Sequence, residues 1–265
     1  MQIELTGCTG AGKSTLASAI RQACRERGTD ALLSSDFVLD QFRLGWVKSK
    51  LVQTLLLDLC SLSVCLATWR NNLEFYVFAI RTIFRLPIAP FEKLNLARNV
   101  LKKIGIYEII RRRGSDQSHG MHTCPTAGAG SQQIVLVDEG TLHAAHNLFV
   151  HASAEADAGD LQTFIKLVPL PDVVVYVTQS ESVLINRAMK RGHKRIPERS
   201  PAKAQLFIKR GVDVFDKLIQ GLELQRGLSV VESQPNIVVA HSHRNDAERS
   251  VAAALEIIHA GLVDW

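Results

Sequence analysis

Gly7-Cys8-Thr9-Gly10-Ala11-Gly12-Lys13-Ser14 follows a short apolar run at Ile3 to Leu5 and precedes a helical pattern. The octet fits G-x-x-x-x-G-K-[ST] at every fixed position. Glycines let the backbone wrap closely around an oxyanion chain. Consecutive amides then point inward, and the following helix adds its positive end. The pattern assigns Lys13 to the β- and γ-phosphates and the Ser14 hydroxyl to Mg²⁺. The candidate nucleotide-binding run is therefore Gly7, Cys8, Thr9, Gly10, Ala11, Gly12, Lys13, Ser14 and Thr15, with ATP and Mg²⁺ the expected ligands.

Outward from this loop, Leu16, Ala19, Ile20 and Ala23 recur on one helical face until Gly28. Ala31 to Ser35 reads as a second short strand. A long helical region, Trp46 to Arg113, is punctuated at Pro87 and Pro90. Gly114 to Gln133 turns to Gly, Ser, Thr and His, the composition of an exposed loop. Ile134 to Val137 is continuously apolar, like a buried parallel strand. A short helix over Leu142 to Val150 and a loop over His151 to Asp160 come next. Further strands are expected at Asp172 to Val177 and Asn236 to Ala240. Helices are expected at Glu181 to Arg191, Pro201 to Arg226 and Asp246 to Ala260. Strands and helices alternate almost throughout, which argues for one domain with a parallel sheet covered on both faces.

Asp138 ends the third strand, where a carboxylate can hold the Mg²⁺ water shell opposite Ser14. Glu139 beside it either polarises a water or acceptor hydroxyl, or faces solvent. Arg187, Lys190, Arg191, Lys194, Arg195 and Arg199 crowd thirteen positions. By themselves they are either a solvated helix end or a lid that spreads the charge of a transferring phosphoryl group.

The order of these parts resembles the thymidylate kinase and deoxynucleoside kinase branch of P-loop kinases. Asn186 to Arg195 looks like that branch's lid helix and lid, over 187–200. The resemblance implies a three-layer α/β/α fold with a five-stranded parallel sheet, order 2-3-1-4-5, and a helical insertion after the second strand. It implies a phosphotransferase acting on a nucleoside, nucleotide or sugar-type acceptor. It places Arg187 near the adenine, Arg191 and Arg195 near the phosphates, and the loop around Ser242 to Asn245 beside the base. Asp36 would accept the proton of the acceptor hydroxyl, its alternative being a helix-cap or turn residue. Two departures bear on the acceptor side. Asp138-Glu139 stands where such kinases often carry an acid-arginine pair, and no acid-proline step follows Ser35. A second reading is therefore a P-loop ATPase or switch acting on a protein or membrane partner, with Glu139 positioning water.

Trp46 to Arg113 carries twelve Lys and Arg against four Asp and Glu, a net +8 within a chain of net +5. The remainder is net −3. Phe75, Tyr76, Phe78, Ile80, Ile83 and Phe84 suit either a core or the cover of the acceptor pocket, or else a basic amphipathic surface on anionic lipid or an acidic polymer. The insertion lacks the aromatic-and-basic pattern of single-stranded nucleic acid binders, which argues against nucleic acid as partner. A homodimer is left open. Leu51 to Trp69 is long enough to span a bilayer, but Asp58 at its centre is costly in lipid. Cys8, Cys24, Cys60, Cys65 and Cys124 are odd in number and match no metal or disulfide spacing. With a strand beginning at Gln2, the expectation is a reduced cytoplasmic protein without a signal peptide.

Overall fold

The computed structural model describes residues 1–118, 133–151, 156–192, 200–228, 236–241, 251–252 and 255–256. The strands are β1 Gln2–Thr6, β2 Ala31–Leu33, β3 Ile134–Asp138, β4 Val173–Thr178 and β5 Asn236–His241. The helices are α1 Lys13–Glu26, α2 Ser34–Gln41, α3 Lys50–Ala67, α4 Leu73–Arg85, α5 Pro90–Ser118, α6 Ala144–Phe149, α7 Ala158–Leu167, α8 Glu181–Arg191 and α9 Pro201–Leu228. A 3₁₀ turn at Trp69–Asn72 joins α3 to α4.

The strands form one parallel sheet in the order β2-β3-β1-β4-β5. This is the five-stranded parallel sheet and strand order that the resemblance implies. Alternation along β3 shows that both faces are covered. Ile134 and Leu136 pack into a cluster with Ile3, Leu5, Ile20 and Phe164. Val135 and Val137 pack into a second cluster with Phe37, Val38, Leu57 and Ile110. Because all strands run in one direction, Gly7, Glu139 and Gln179 leave the sheet at the same edge. Ligands in open α/β sheets bind along that carboxyl edge.

The insertion between β2 and β3 contains α2 to α5. Leu86 is extended (φ −65°, ψ 135°) directly before Pro87, because proline pushes its predecessor out of the helical region. Pro90 then opens α5, where its missing N–H costs nothing. The apolar stretch at Leu51 to Trp69 lies mostly in α3, the one described helix long and apolar enough to cross a membrane. Its Asp58 is bonded to Arg98 at 2.7 Å and Lys102 at 2.8 Å, both on α5. α3 and α5 approach so closely at Gly105 that a Cβ there would lie 2.2 Å from the Ser61 carbonyl oxygen.

Three boundaries differ from the sequence expectation, one of them at α7, which begins at Ala158 inside the expected His151 to Asp160 loop. β2 stops at Leu33, and Ser34 and Ser35 begin α2. Ser-Ser-Asp suits a first helical turn, because these short polar side chains and an early acid serve open amides. Asp36 therefore lies within a helix rather than at a strand end. α5 also continues past Gly114 to Ser118, since a single glycine costs a long helix only about 1 kcal/mol. Residues 119–132 of the Gly114 to Gln133 loop, with Cys124, 193–199 of the 187–200 lid, the 242–245 loop and most of the last helix lie outside the described residues.

Candidate functional site

β1 ends in a turn that only glycine can make. Gly7 has φ +139°, and a Cβ there would lie 2.3 Å from the Val177 carbonyl oxygen. Gly10 (φ +86°) and Gly12 (φ +101°) are also left-handed. α1 starts directly after Gly12 without a side-chain cap, so its first amides remain available to an anion. Lys13 is buried and folds back over the loop. Its Nζ donates to the Gly7 carbonyl at 3.1 Å and the Cys8 carbonyl at 3.2 Å. These neutral acceptors are weaker competitors than phosphate oxygens for an ammonium group.

Ser14 Oγ donates to Asp138 Oδ2 at 2.6 Å. The hydroxyl from α1 and the carboxylate from β3 are thus brought together across the adjacent strands β1 and β3. Asp138 Oδ1 is buried and has no hydrogen-bond partner among the described residues. A hydroxyl beside a carboxylate with one open oxygen fits a hard cation such as Mg²⁺. Mg²⁺ is commonly bound by one or two protein oxygens plus substrate phosphates and water. No cluster of three or more His, Cys, Asp or Glu that could hold a metal unaided occurs among the described residues.

Within the loop Cys8 and Ala11 are buried, while Thr15 is exposed on α1. Cys8 Sγ lies 3.9 Å from the Ile208 carbonyl oxygen. Burial pushes its thiol up to about 11, against the nearby Lys13 charge. Thr9 Oγ1 is 3.3 Å from His146 Nε2. Arg187 reaches the loop from α8 and donates from Nη1 to the Gly10 carbonyl at 2.8 Å. Arg191 is exposed in the last turn of α8, and Arg195 lies outside the described residues. Asp36 pairs with Arg21 of α1 at 3.7 Å and is half-exposed. No described contact links it to Lys13, Ser14 or Asp138.

Glu139 holds a left-handed backbone (φ +70°) without being glycine. Its Oε1 lies 3.9 Å from Lys13 Nζ and 3.5 Å from His143 Nε2. Lys103 of α5 donates to the Glu139 carbonyl oxygen. Burial lowers the Lys103 pKa, and the Glu139 and Glu4 carboxylates oppose that shift. An unfavourable backbone held by a side chain from the insertion marks a strained point at the edge of the cradle.

Beneath it lies Glu4 of β1, fully buried between two strands. It accepts from the His143 amide at 3.0 Å and lies 3.1 Å from Thr141 Oγ1. The Thr141 hydroxyl also reaches the Pro169 carbonyl oxygen at 2.6 Å. When protonated, Glu4 can donate to Thr141 Oγ1 while Thr141 donates to Pro169, which satisfies both groups. Burial accordingly pushes Glu4 up to about 7, with the amides of His143 and Leu142 opposing. His143 stacks on His146 at 5.1 Å, and both face Phe215.

Lys103, Glu4, His143 and His146 were not singled out by the sequence. A charged Glu4 inside the apolar run of β1 is a readable signal, because a buried strand excludes charge unless it is bonded. Lys103 carries none, since it sits among many basic residues of a helix.

No protein-family model matches the chain, and no curated protein matches it. A deoxyadenosine kinase from M. mycoides, solved with products dCMP and a flexible dCDP bound, is similar in structure. The likeness covers 98% of this chain and 99% of that one, at 14% identity and a TM-score of 0.39.

Proposed function

We propose that this chain is a Mg²⁺-dependent phosphotransferase that moves the terminal phosphoryl group of ATP, or a related triphosphate, to a small-molecule hydroxyl. The observation that carries the reading is the 2.6 Å bond between Ser14 and Asp138 beside the glycine-built loop. In this reading the loop amides and Lys13 bind the triphosphate. Bound Mg²⁺, held by Ser14 and through water by Asp138, would neutralise phosphate charge. Lys13, Arg191 and Arg195 bear the charge that develops on the phosphoryl oxygens. Arg187 is tied to Gly10 and steadies the loop from the nucleotide side. Asp36 accepts the acceptor's proton once nucleotide and acceptor displace its pairing with Arg21. The acceptor is a nucleoside, nucleotide, sugar or glycan precursor, in a reduced cytoplasmic compartment.

Glu139 supports a second reading. Its carboxylate is 3.9 Å from Lys13, closer to the cradle than any described contact of Asp36. A carboxylate there suits orientation of an attacking water, which is the ATPase or switch alternative. One assay divides the two. ADP is followed with ATP and Mg²⁺ alone, then with pooled nucleosides, nucleotides and sugars. A rise of at least about tenfold with an acceptor pool supports transfer, by the usual contribution of positioned reactants. Equal turnover without any acceptor assigns hydrolysis instead. Asp36→Asn should remove acceptor-dependent turnover and keep ATP binding, whereas under hydrolysis Glu139→Gln is the damaging change.

A further inference from the structure

Exposed large apolar side chains are concentrated in one segment. Among the described residues, thirteen of seventeen lie between Trp46 and Leu94. Each of the thirteen is at least 42% exposed, and exposed apolar surface gathered on one segment and rimmed by polar residues marks an interaction site. α3 shows the pattern most clearly. Leu51, Leu55, Leu59 and Leu66 recur at helical spacing and are 58–77% exposed. Leu57, Asp58, Ser61 and Cys65 form its buried face. Only 22% of this helix is buried, which is unusual for an apolar helix of a globular core.

The ends of α3 match each other. Trp46, Lys48 and Lys50 precede or open it, and Trp69 and Arg70 follow it. Arg70 sits 5.8 Å over the Trp69 ring. Two of the chain's three tryptophans thus bracket this helix beside cations. Trp with Lys or Arg is the side-chain pairing favoured at a membrane–water boundary. The ion pairs of Asp58 with Arg98 and Lys102 hold α3 side-on against α5, so the helix lies along the protein instead of threading a bilayer. On α4, Val77, Ile80 and Phe84 are exposed with Arg81 between them.

Two occupants compete for such a face: a second copy of the chain and a bilayer. Charge chooses between them. The segment is net +8 while the rest of the chain is net −3. Pairing two copies through it sets like charges against each other, whereas an anionic bilayer is complementary to it. We propose that α3 and its flanks seat this protein on an anionic membrane surface. The Leu51, Leu55, Leu59 and Leu66 face enters the headgroup–acyl boundary, with Lys48, Lys50, Arg70 and Arg81 at lipid phosphates.

The full chain is co-sedimented with phosphatidylcholine vesicles and with vesicles that also contain phosphatidylglycerol. At least about tenfold stronger partitioning onto the anionic vesicles is expected, weakening as salt is raised. In Trp265→Phe, which leaves Trp46 and Trp69, emission should shift to the blue on binding. Leu55→Asp with Leu59→Asp, both exposed positions, should abolish partitioning and leave the melting temperature and ATP binding unchanged. Lys48→Glu with Arg70→Glu should remove the preference for anionic lipid. Equal or absent partitioning on the two vesicle types overturns the proposal, as does wild-type partitioning by the Leu55→Asp, Leu59→Asp protein. A stable species of twice the chain mass that the same double change dissociates, with no vesicle binding, assigns the face to a second copy and likewise overturns it. ATP binding measured on the same samples keeps this outcome separate from that of the phosphoryl-transfer reading.

Discussion

The phosphate cradle and the helical insertion occupy neighbouring stretches of chain and are specified by opposite means. In the cradle, backbone conformation decides each residue. Gly7, Gly10 and Gly12 are left-handed, Gly7 meets the Val177 carbonyl oxygen, and Lys13 is buried against carbonyls. In the insertion, side-chain faces decide. One face of α3 packs on α5 through Leu57, Asp58 and Cys65, and the other carries leucines into solvent. The cradle therefore tolerates little change and exposes little apolar surface, whereas the outer insertion tolerates much and exposes a great deal. Specificity for a small ligand comes from the first kind of construction, and affinity for a broad surface from the second.

The largest effect should fall in the cradle. Lys13→Met is expected to weaken triphosphate binding at least about 100-fold, or roughly 3 kcal/mol, the scale of removing one member of a close charge pair at a binding site. Its melting temperature should move little, because the wild-type ammonium bonds two loop carbonyls and pairs only loosely, at 3.9 Å, with the half-exposed Glu139 carboxylate. Calorimetry and thermal denaturation check the two halves. Triphosphate affinity that survives the change would erase the distinction between the two regions.

Next comes the buried carboxyl under the cradle. Glu4 is raised from 4.5 to about 7, so the folded chain holds a proton that the unfolded chain has released between those values. Its stabilising effect is fully present below about pH 4.5 and is lost as pH rises through about 7. Unfolding free energy should fall by about 3 kcal/mol across that window on this account. Glu4→Gln should flatten the slope and make the protein relatively more stable at pH 8. Denaturant titrations at pH 5 and pH 8 measure this, and an unchanged slope in Glu4→Gln would contradict it.

A smaller effect sharpens the contrast within α3 itself. Leu57→Ala, on the packed face, should cost about 2–3 kcal/mol of stability. Leu59→Ala, two residues on and 62% exposed, should stay within about 0.5 kcal/mol. Equal losses at the two positions would mean that the outer face is covered in solution.

The same contrast explains what the sequence could disclose. The strands, their order through the resemblance, and the loop from Gly7 to Ser14 were legible, because buried parallel strands and left-handed turns admit few residue types. The meeting of Ser14 and Asp138, 124 positions apart, followed from that order. The end of β2 was not legible: Leu32 and Leu33 are apolar enough for either a strand or a helix, and Ser-Ser-Asp then starts α2. Lys103 was hidden because helical spacing tells which face a residue occupies, not which distant carbonyl it reaches. The outer face of α3 was ambiguous for the same reason, since apolar periodicity is identical for a core and for an outward surface.

The most direct test is titration calorimetry of ATP into the folded chain, with and without Mg²⁺. The account predicts one site per chain, tightened by Mg²⁺ and lost in Lys13→Met, with a matching rise in melting temperature of the wild type. Well-folded protein that takes up neither ATP nor GTP in the presence of Mg²⁺ would contradict it.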